Sequence, residues 1–450
     1  MGIPSVAIVL SEFYEQETDK ALQCGMPGIR TQWILGPVWA KTREQLRKDV
    51  INGNNPISGR PVMQEIVEKF TKPLTAEEKK TGEIKRDRGP ETFTGIPEEL
   101  DKLFLDKRFT DFLPVVLPTR ERVEEMLMGT SHDPDEVIGR MSPTNTGHYF
   151  EFWTYTVKDV AVNAVMAGCK PEYMPILLAI LSGSPPMQVP GAPPAEDNVP
   201  GMAMEAISIS DNGFMSMLVI NGNIRDEIGL NYGVGAVGPF AHANTTIGRA
   251  YSLASINLGN CGKVGTTYMG VIGNHGNLIN IVIAENEEKS SFKPFSVRRG
   301  FEKGENVVSL FTGWGILSAA NWAANAWGKE MNYPEIMKNI TAQQGMLFGT
   351  CFVLSPPIAD FVKQNYNTIA DLEKYITPPA PAFGGFGPPK AKPESGDAPA
   401  AKKPMPKMPA FGGFGNMEQI PVIVTGGTNN NYWSAGGFRY SRSIKIDDWR

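Results

Sequence analysis

The sequence predicts an α/β fold, with an incomplete N-terminal parallel α/β domain followed by a larger mixed α/β domain that carries a flexible Pro/Gly-rich insertion. Three observations lead there. The first 35 residues alternate an apolar run, a helix-like stretch and a second apolar run. Met215 to Ile220 reads as a buried strand that breaks at Asn221-Gly222 into a loop with Gly229, Gly233, Gly235 and Gly238. Residues 377–415 are Pro, Ala, Gly and Lys with PAFGGFG at 381–387 and again at 409–415, a composition that cannot bury a core.

In chain order, Ile3 to Leu10 reads as a strand, 12–24 as a helix and Ile29 to Leu35 as a second strand closed by Gly36-Pro37. One or two strands cannot make a sheet alone, so either the later chain or another polypeptide supplies the rest. Residues 1–75 form this partial domain and 76–120 a charged connector. The basic cluster Lys79, Lys80, Lys85, Arg86 and Arg88 reads as a solvated surface. Residues 120–140 are expected to be a polar helix pair ending at Arg140. Val157, Val160, Ala161, Ala164 and Val165 share a buried helix face, Gly168 sits at its C-cap, and Pro171 opens a second helix through Leu181. Cys169 therefore lies at a helix–helix corner, either as a small apolar residue or as a thiol activated by Lys170 and the following helix N-terminus.

Beyond the glycine-rich loop a helix is predicted to start near Asn244, capped by Asn or Thr, with Ile247, Ala250, Tyr251, Ala254 and Leu258 on one face. Strand, glycine-rich loop and helix start together aim backbone N–H groups at an anion or polar ligand. Gly233 to Gly238 matches GxGxxG, yet the loop begins well after the strand, Pro239 follows, and no Asp or Glu occurs between Glu227 and Glu285, so a dinucleotide site is rejected. Leu278 to Ala284 reads as a strand ending in the acids Glu285, Glu287 and Glu288, candidates for proton transfer or metal binding. Then follow a short strand at 306–311, a Trp/Ala-rich helix at 313–330, an apolar run at 346–354, a short amphipathic helix at 369–376 and a strand from Gln419 to Val424. The main substrate domain spans 121–376, and 416–450 returns to it after the insertion.

The net charge of -5 argues against nucleic acid as main partner. The four cysteines, Cys24, Cys169, Cys261 and Cys351, have no CxxC spacing, which fits a reducing cytoplasm rather than a disulfide framework or zinc site. No apolar stretch approaches the ~18 residues of a membrane span, and the first one is too short for a signal peptide.

MAGCKPEYMP, NGNIRDEIGLN, GAVGPFAHANTTIGRA, AENEE and the late IVTGGT together resemble the UGSC-motif (seleno)protein family, as does LSPPIAD with the helix predicted over 355–376. The family resembles, more distantly, the selenoprotein B component of glycine and betaine reductases. The resemblance implies thiol or selenol chemistry on a small substrate, with no cofactor established. It covers most of the chain outside the insertion, but no CGSC motif occurs here, and Gly2-Ile3-Pro4 stands where the family's motif has just ended. The chain is therefore expected to be the large subunit of a hetero-oligomeric reductase- or lyase-type enzyme, completed by a small subunit with a Cys-Gly-Ser-Cys-like motif. Asn223, Ala241-His242 and Asn429 to Asn431 depart from the family pattern and imply a different ligand.

In this reading Cys169, Glu172, Glu285, Glu287 and His242 are the candidate catalytic groups, and Asn221, Arg225, Asn231, Asn244 and Arg249 hold a small polar, carboxylate-bearing substrate. Two alternatives stand beside it. One is a metal-dependent lyase or hydrolase using Glu285 and Glu287 with His242 or His275; the other is a non-catalytic scaffold that uses the insertion for assembly.

Overall fold

A six-stranded mixed sheet organises the chain, and its strand order explains how distant segments reach one place. The structure is a computed structural model that describes residues 5–23, 25–38, 41–81, 92–141, 153–183, 215–258, 273, 274, 276, 278–319, 332–344, 350–377 and 420–450. Cys24, Cys261, His275 and most of the 377–415 insertion lie outside the described residues.

At the N-terminus, β1 (Ala7–Leu10) and β2 (Thr31–Ile34) pair in parallel on either side of helix α1 (Tyr14–Gln23), forming a sheet of two strands. Helix α2 (Val62–Thr71) packs on β2, where Lys69 Nζ donates to Thr31 O and Gln32 Oε1. Arg30 pairs with Glu78 at 2.9 Å, so this unit reaches slightly past residue 75. Parallel sheets are ordinarily covered on both faces, yet Ile8 is 58% exposed and Leu35 46%. Along α2, Met63, Val67 and Phe70 are exposed, with Leu74 beyond its end.

Helices α3 (Pro97–Asp106) and α4 (Arg120–Leu127) follow, and α4 is capped by Thr119. The expected helix pair over 120–140 is one helix. Asp133-Pro134 turns the chain, and β3 (Val137–Met141) pairs antiparallel with β4 (Trp153–Thr156). Helix α5 (Val157–Ala167) opens with a Thr156/Asp159 capping box and closes on Gly168 at φ +81°, as the sequence predicts. A 3-10 turn at Pro171–Tyr173 leads into α6 (Met174–Leu181), every residue of which is buried.

The main sheet runs β6-β5-β7-β10-β8-β9. Strand β5 (Met215–Asn221) is parallel to β6 (Ile281–Ala284) and antiparallel to β7 (Val307–Ala319). Strand β10 (Trp433–Lys445) lies antiparallel to both β7 and β8 (Cys351–Leu354), and β9 (Val422–Val424) pairs parallel with β8. The sheet curls until its edge strands meet at their C-terminal ends: Asn286 N donates to Val424 O at 2.8 Å and Thr425 Oγ1 to Ala284 O at 2.7 Å. Strand alternation then sorts the core. Met217, Val219, Ile283, Phe311, Val353, Ile423 and Phe438 pack inside the curl around Phe295. Their neighbours Leu218, Ile220, Val282, Val308 and Leu310 face α5, α6 and α7 (His242–Asn257). On the other half Phe352, Leu354, Val422, Val424 and Trp433 meet α8 (Tyr333–Gln344), α9 (Pro356–Lys363) and α10 (Ile369–Ile376).

Three further expectations change. The helix expected over 313–330 is strand β7 through Ala319, because β10 pairs with it from Val307 to Gly313 and again from Ile316 to Ala319; residues 320–330 are outside the described residues. At Gly313 a Cβ would stand 1.8 Å from Gly437 O, a backbone approach that only glycine permits. LSPPIAD opens two helices rather than one. The helix after the glycine-rich loop starts at His242 rather than Asn244, with Ala241 in the cap position and no side-chain cap. Among the described residues no helix is long and apolar enough to cross a membrane.

Candidate functional site

The predicted site residues gather in two groups joined by the glycine-rich loop. The first sits where β5 and β6 end. Asn221, fully buried, donates from Nδ2 to Glu285 Oε2 at 2.7 Å and to Glu287 Oε1 at 3.0 Å. Gly222 N also donates to Glu287 Oε1, at 2.7 Å. Glu285 has no exposed surface and accepts in addition from Phe295 N at 2.7 Å. Burial pushes its carboxyl above the usual carboxylate range, against the opposing pull of Arg298 and these hydrogen bonds.

Arg225 is 3% exposed, and its guanidinium is spent inside the protein. Nε donates to Gly222 O at 2.8 Å, Nη1 to Glu285 O, and the fork meets Glu288 at 2.7 and 3.2 Å, with the Tyr232 ring 4.8 Å away. Burial opposes the cation, while Glu288 and Glu287 hold it above its ordinary value. A buried guanidinium held bidentately by an exposed carboxylate in this way shapes the loop that follows it rather than offering free donors.

The remaining predicted binders are also engaged. Asn244 Oδ1 accepts from Asn231 N at 2.8 Å while its Nδ2 donates to Val282 O at 3.0 Å, fixing the loop to β6. Asn231 closes its own turn by accepting from Gly233 N and donating to Val234 O. Arg249 reaches away from the loop to a bidentate pair with Asp111 at 2.8 and 2.9 Å. The late TGG segment braces the same loop, since Gly426 N donates to Tyr232 O at 3.0 Å.

The second group surrounds the start of α7. His242 is the first residue of that helix and is exposed, and its Nδ1 lies 3.3 Å from the Tyr173 hydroxyl. The helix corner at Gly168 to Tyr173 thus brings Tyr173 to the predicted histidine and Cys169 to Thr246, while Glu172 is exposed and acts on Tyr173 through its charge. Cys169 keeps some surface as a residue, but its thiol is enclosed: burial pushes it up to about 12, only partly offset by a hydrogen bond with Thr246. Burial, then Cys169 and Glu172, likewise push the Tyr173 phenol up. Thr246 stands one helical turn beyond His242 and donates to its carbonyl at 2.8 Å. With no side-chain cap, the first N–H groups of this 16-residue helix remain open to an anion. Just before it the loop exposes Val234 (67%), Val237 (48%) and Phe240 (74%).

Sequence reading missed Tyr173, Thr246 and Asp111, and it placed Glu288 among the strand-end acids without its pairing to Arg225. The i,i+4 spacing of His242 and Thr246 was a usable signal, whereas nothing local ties Tyr173 to His242 or Asp111 to Arg249. Among the described residues no group of three His, Cys, Asp or Glu side chains is placed to hold a metal ion. No family model matches the chain, and neither a curated protein nor a solved structure matches it.

Proposed function

We propose that the chain is the large subunit of a hetero-oligomeric, thiol-dependent enzyme of reductase or lyase type, acting in a reducing cytoplasm on a small polar substrate that bears a carboxylate. The observation that carries this reading is the pairing of Tyr173 with His242 at an uncapped helix N-terminus beside Cys169. His242 and Tyr173 form a proton-moving pair, and the helix N-terminus is the carboxylate site. A thiol raised to about 12 is a poor nucleophile at neutral pH, so the reactive thiolate comes from a partner carrying the Cys-Gly-Ser-Cys-like motif.

Two surfaces support a partner. The two-stranded parallel sheet β1–β2 leaves apolar side chains uncovered, and the loop before His242 exposes Val234, Val237 and Phe240. In this reading Asn221, Arg225, Glu285, Glu287, Asn231 and Asn244 position the loop, and Arg249 anchors α7.

The test is reconstitution with the partner subunit. His242→Gln is expected to lower kcat by about 10²–10⁴-fold while the complex still assembles, and Cys169→Ser to retain turnover. Full activity of His242→Gln would reject the assignment. The non-catalytic scaffold is the second reading, favoured by the internal engagement of Asn221, Arg225, Asn244 and Arg249; assembly without turnover under any thiol supply would select it.

A further inference from the structure

A second concave surface lies on the other half of the molecule, between α8 and α9. Its volume is about 790 Å³, and aromatic rings line it in two pairs. Tyr333 and Phe361 meet edge to face at 5.1 Å, and Tyr366 and Tyr375 at 5.6 Å. Pro357 adds an apolar wall, and the exposed carboxylate of Asp360 stands on the rim. Phe361 is 38% exposed. The Tyr375 hydroxyl donates to Glu335 Oε2 at 2.6 Å, which brings a second acid to this face, and its ring takes the Lys338 ammonium at 4.7 Å. Slots between tyrosine and phenylalanine rings with the Asp360 carboxylate on the rim suit proline-rich, lysine-bearing peptides, whose rings stack at low entropic cost.

The chain supplies such a sequence at this spot. The excursion between Thr377 and Ile420 leaves from the end of α10, two residues after Tyr375, and returns beside the same helix, where Ile420 N donates to Glu373 Oε1 at 3.1 Å. Within it, residues 402–409 read KKPMPKMP: three prolines, three lysines and no acid. Eight residues in polyproline geometry cover ~25 Å. Eleven steps separate Pro409 from Ile420, and these reach up to ~36 Å, so the tether permits docking beside its own root. Joining in this way raises the effective concentration to the order of mM.

We propose that the groove lined by Tyr333, Phe361, Tyr366 and Tyr375 is an intramolecular docking site for the Lys402–Pro409 segment. The rings hold its prolines, and Asp360 faces its lysines. The inference is independent of the thiol-enzyme reading.

Limited trypsin digestion of the full chain tests it. The Lys407–Met408 bond lies in the docked segment, and the Lys390–Ala391 bond lies in the same excursion outside it. In the native protein Lys407–Met408 is expected to be cut at least about tenfold more slowly. Phe361→Ser, Asp360→Lys on the exposed rim, and Pro404→Ala with Pro406→Ala should each bring the two rates together. Asp360→Lys guards against a Phe361 variant that fails to fold. Equal rates in the wild-type chain, or a difference that survives all three changes, overturns the proposal. Protection that rises with protein concentration would assign the occupant to a second copy and overturn the intramolecular site. Protection lost with alanine at Phe383, Phe386, Phe411 and Phe414 but kept in the proline variants would replace the segment with the PAFGGFG repeats.

Discussion

Asn221 and Glu285 meet at 2.7 Å across 64 residues of sequence, and the same Asn221 amide reaches Glu287 at 3.0 Å. One neutral side chain at the end of β5 therefore bridges two carboxylates that follow the end of the parallel strand β6. Replacing it with alanine leaves both without that donor in a site that water does not reach. Asn221→Ala is expected to cost about 3 kcal/mol, read as a lowered denaturant midpoint with an unchanged slope. Asn221→Asp, which adds a third carboxylate, should cost more.

The same burial makes stability depend on pH with a definite sign. Glu285 titrates above its ordinary 4.5 in the folded chain because burial disfavours the anion. Its contribution is fully present below about 4.5 and is lost as pH rises through the raised folded value. Unfolding of the wild type relative to Glu285→Gln should show that decline above pH 4.5; parallel stability curves for the two proteins would contradict it.

Glu65 acts in the opposite direction. Burial alone would raise its carboxyl, but hydrogen bonds from Ser58 and Asn55, with Lys69 nearby, bring it down to about 2. Its stabilisation is present above 4.5 and is lost as pH falls toward 2. Glu65→Gln should cost about 1–3 kcal/mol at neutral pH, with the difference shrinking in acid. The readout is loosening of the α2 unit in hydrogen exchange.

Much of the first half of this architecture is legible from local patterns. The Gly168 cap, the buried face from Val157 to Val165 and the β5 run are set by residues a few positions apart, and the structure forms them there. Strand β7 is not legible, because Ile316 to Ala319 read as helix until β10, more than a hundred residues later, pairs with them. The site divides in the same way. Proximity of the Glu285–Glu287 turn to a strand end is visible in the sequence, whereas the role of Arg225 is decided by the position of Glu288, and that of His242 by Tyr173, 69 residues earlier.

Cys169 should be nearly silent toward alkylation in the folded chain. A thiol at about 12 carries on the order of 10⁻⁴ thiolate at pH 8. Peptide mapping after iodoacetamide should find Cys169 unmodified before unfolding and labelled after it. Rapid labelling at pH 8 would return this thiol to the candidate nucleophiles.

Arg249 and Asp111 tie α7 to the segment before α4, with side-chain exposures of 15% and 3%. Breaking one partner should cost about 3–5 kcal/mol, since the other charge remains buried. A double-mutant cycle with Arg249→Met and Asp111→Leu should recover part of that loss, with a coupling above about 1 kcal/mol.

The place of β10 sets a timetable for folding. This strand lies between β7 and β8, so before it arrives the sheet exists only as β6-β5-β7 on one side and β8 on the other. Both β9 and β10 are made after the Pro/Gly-rich stretch, and β9 also forms the seam with Ala284 and Asn286. Loop closure over such distances is slow. The two helical layers are therefore expected to close into one body only once residues 420–450 have been added.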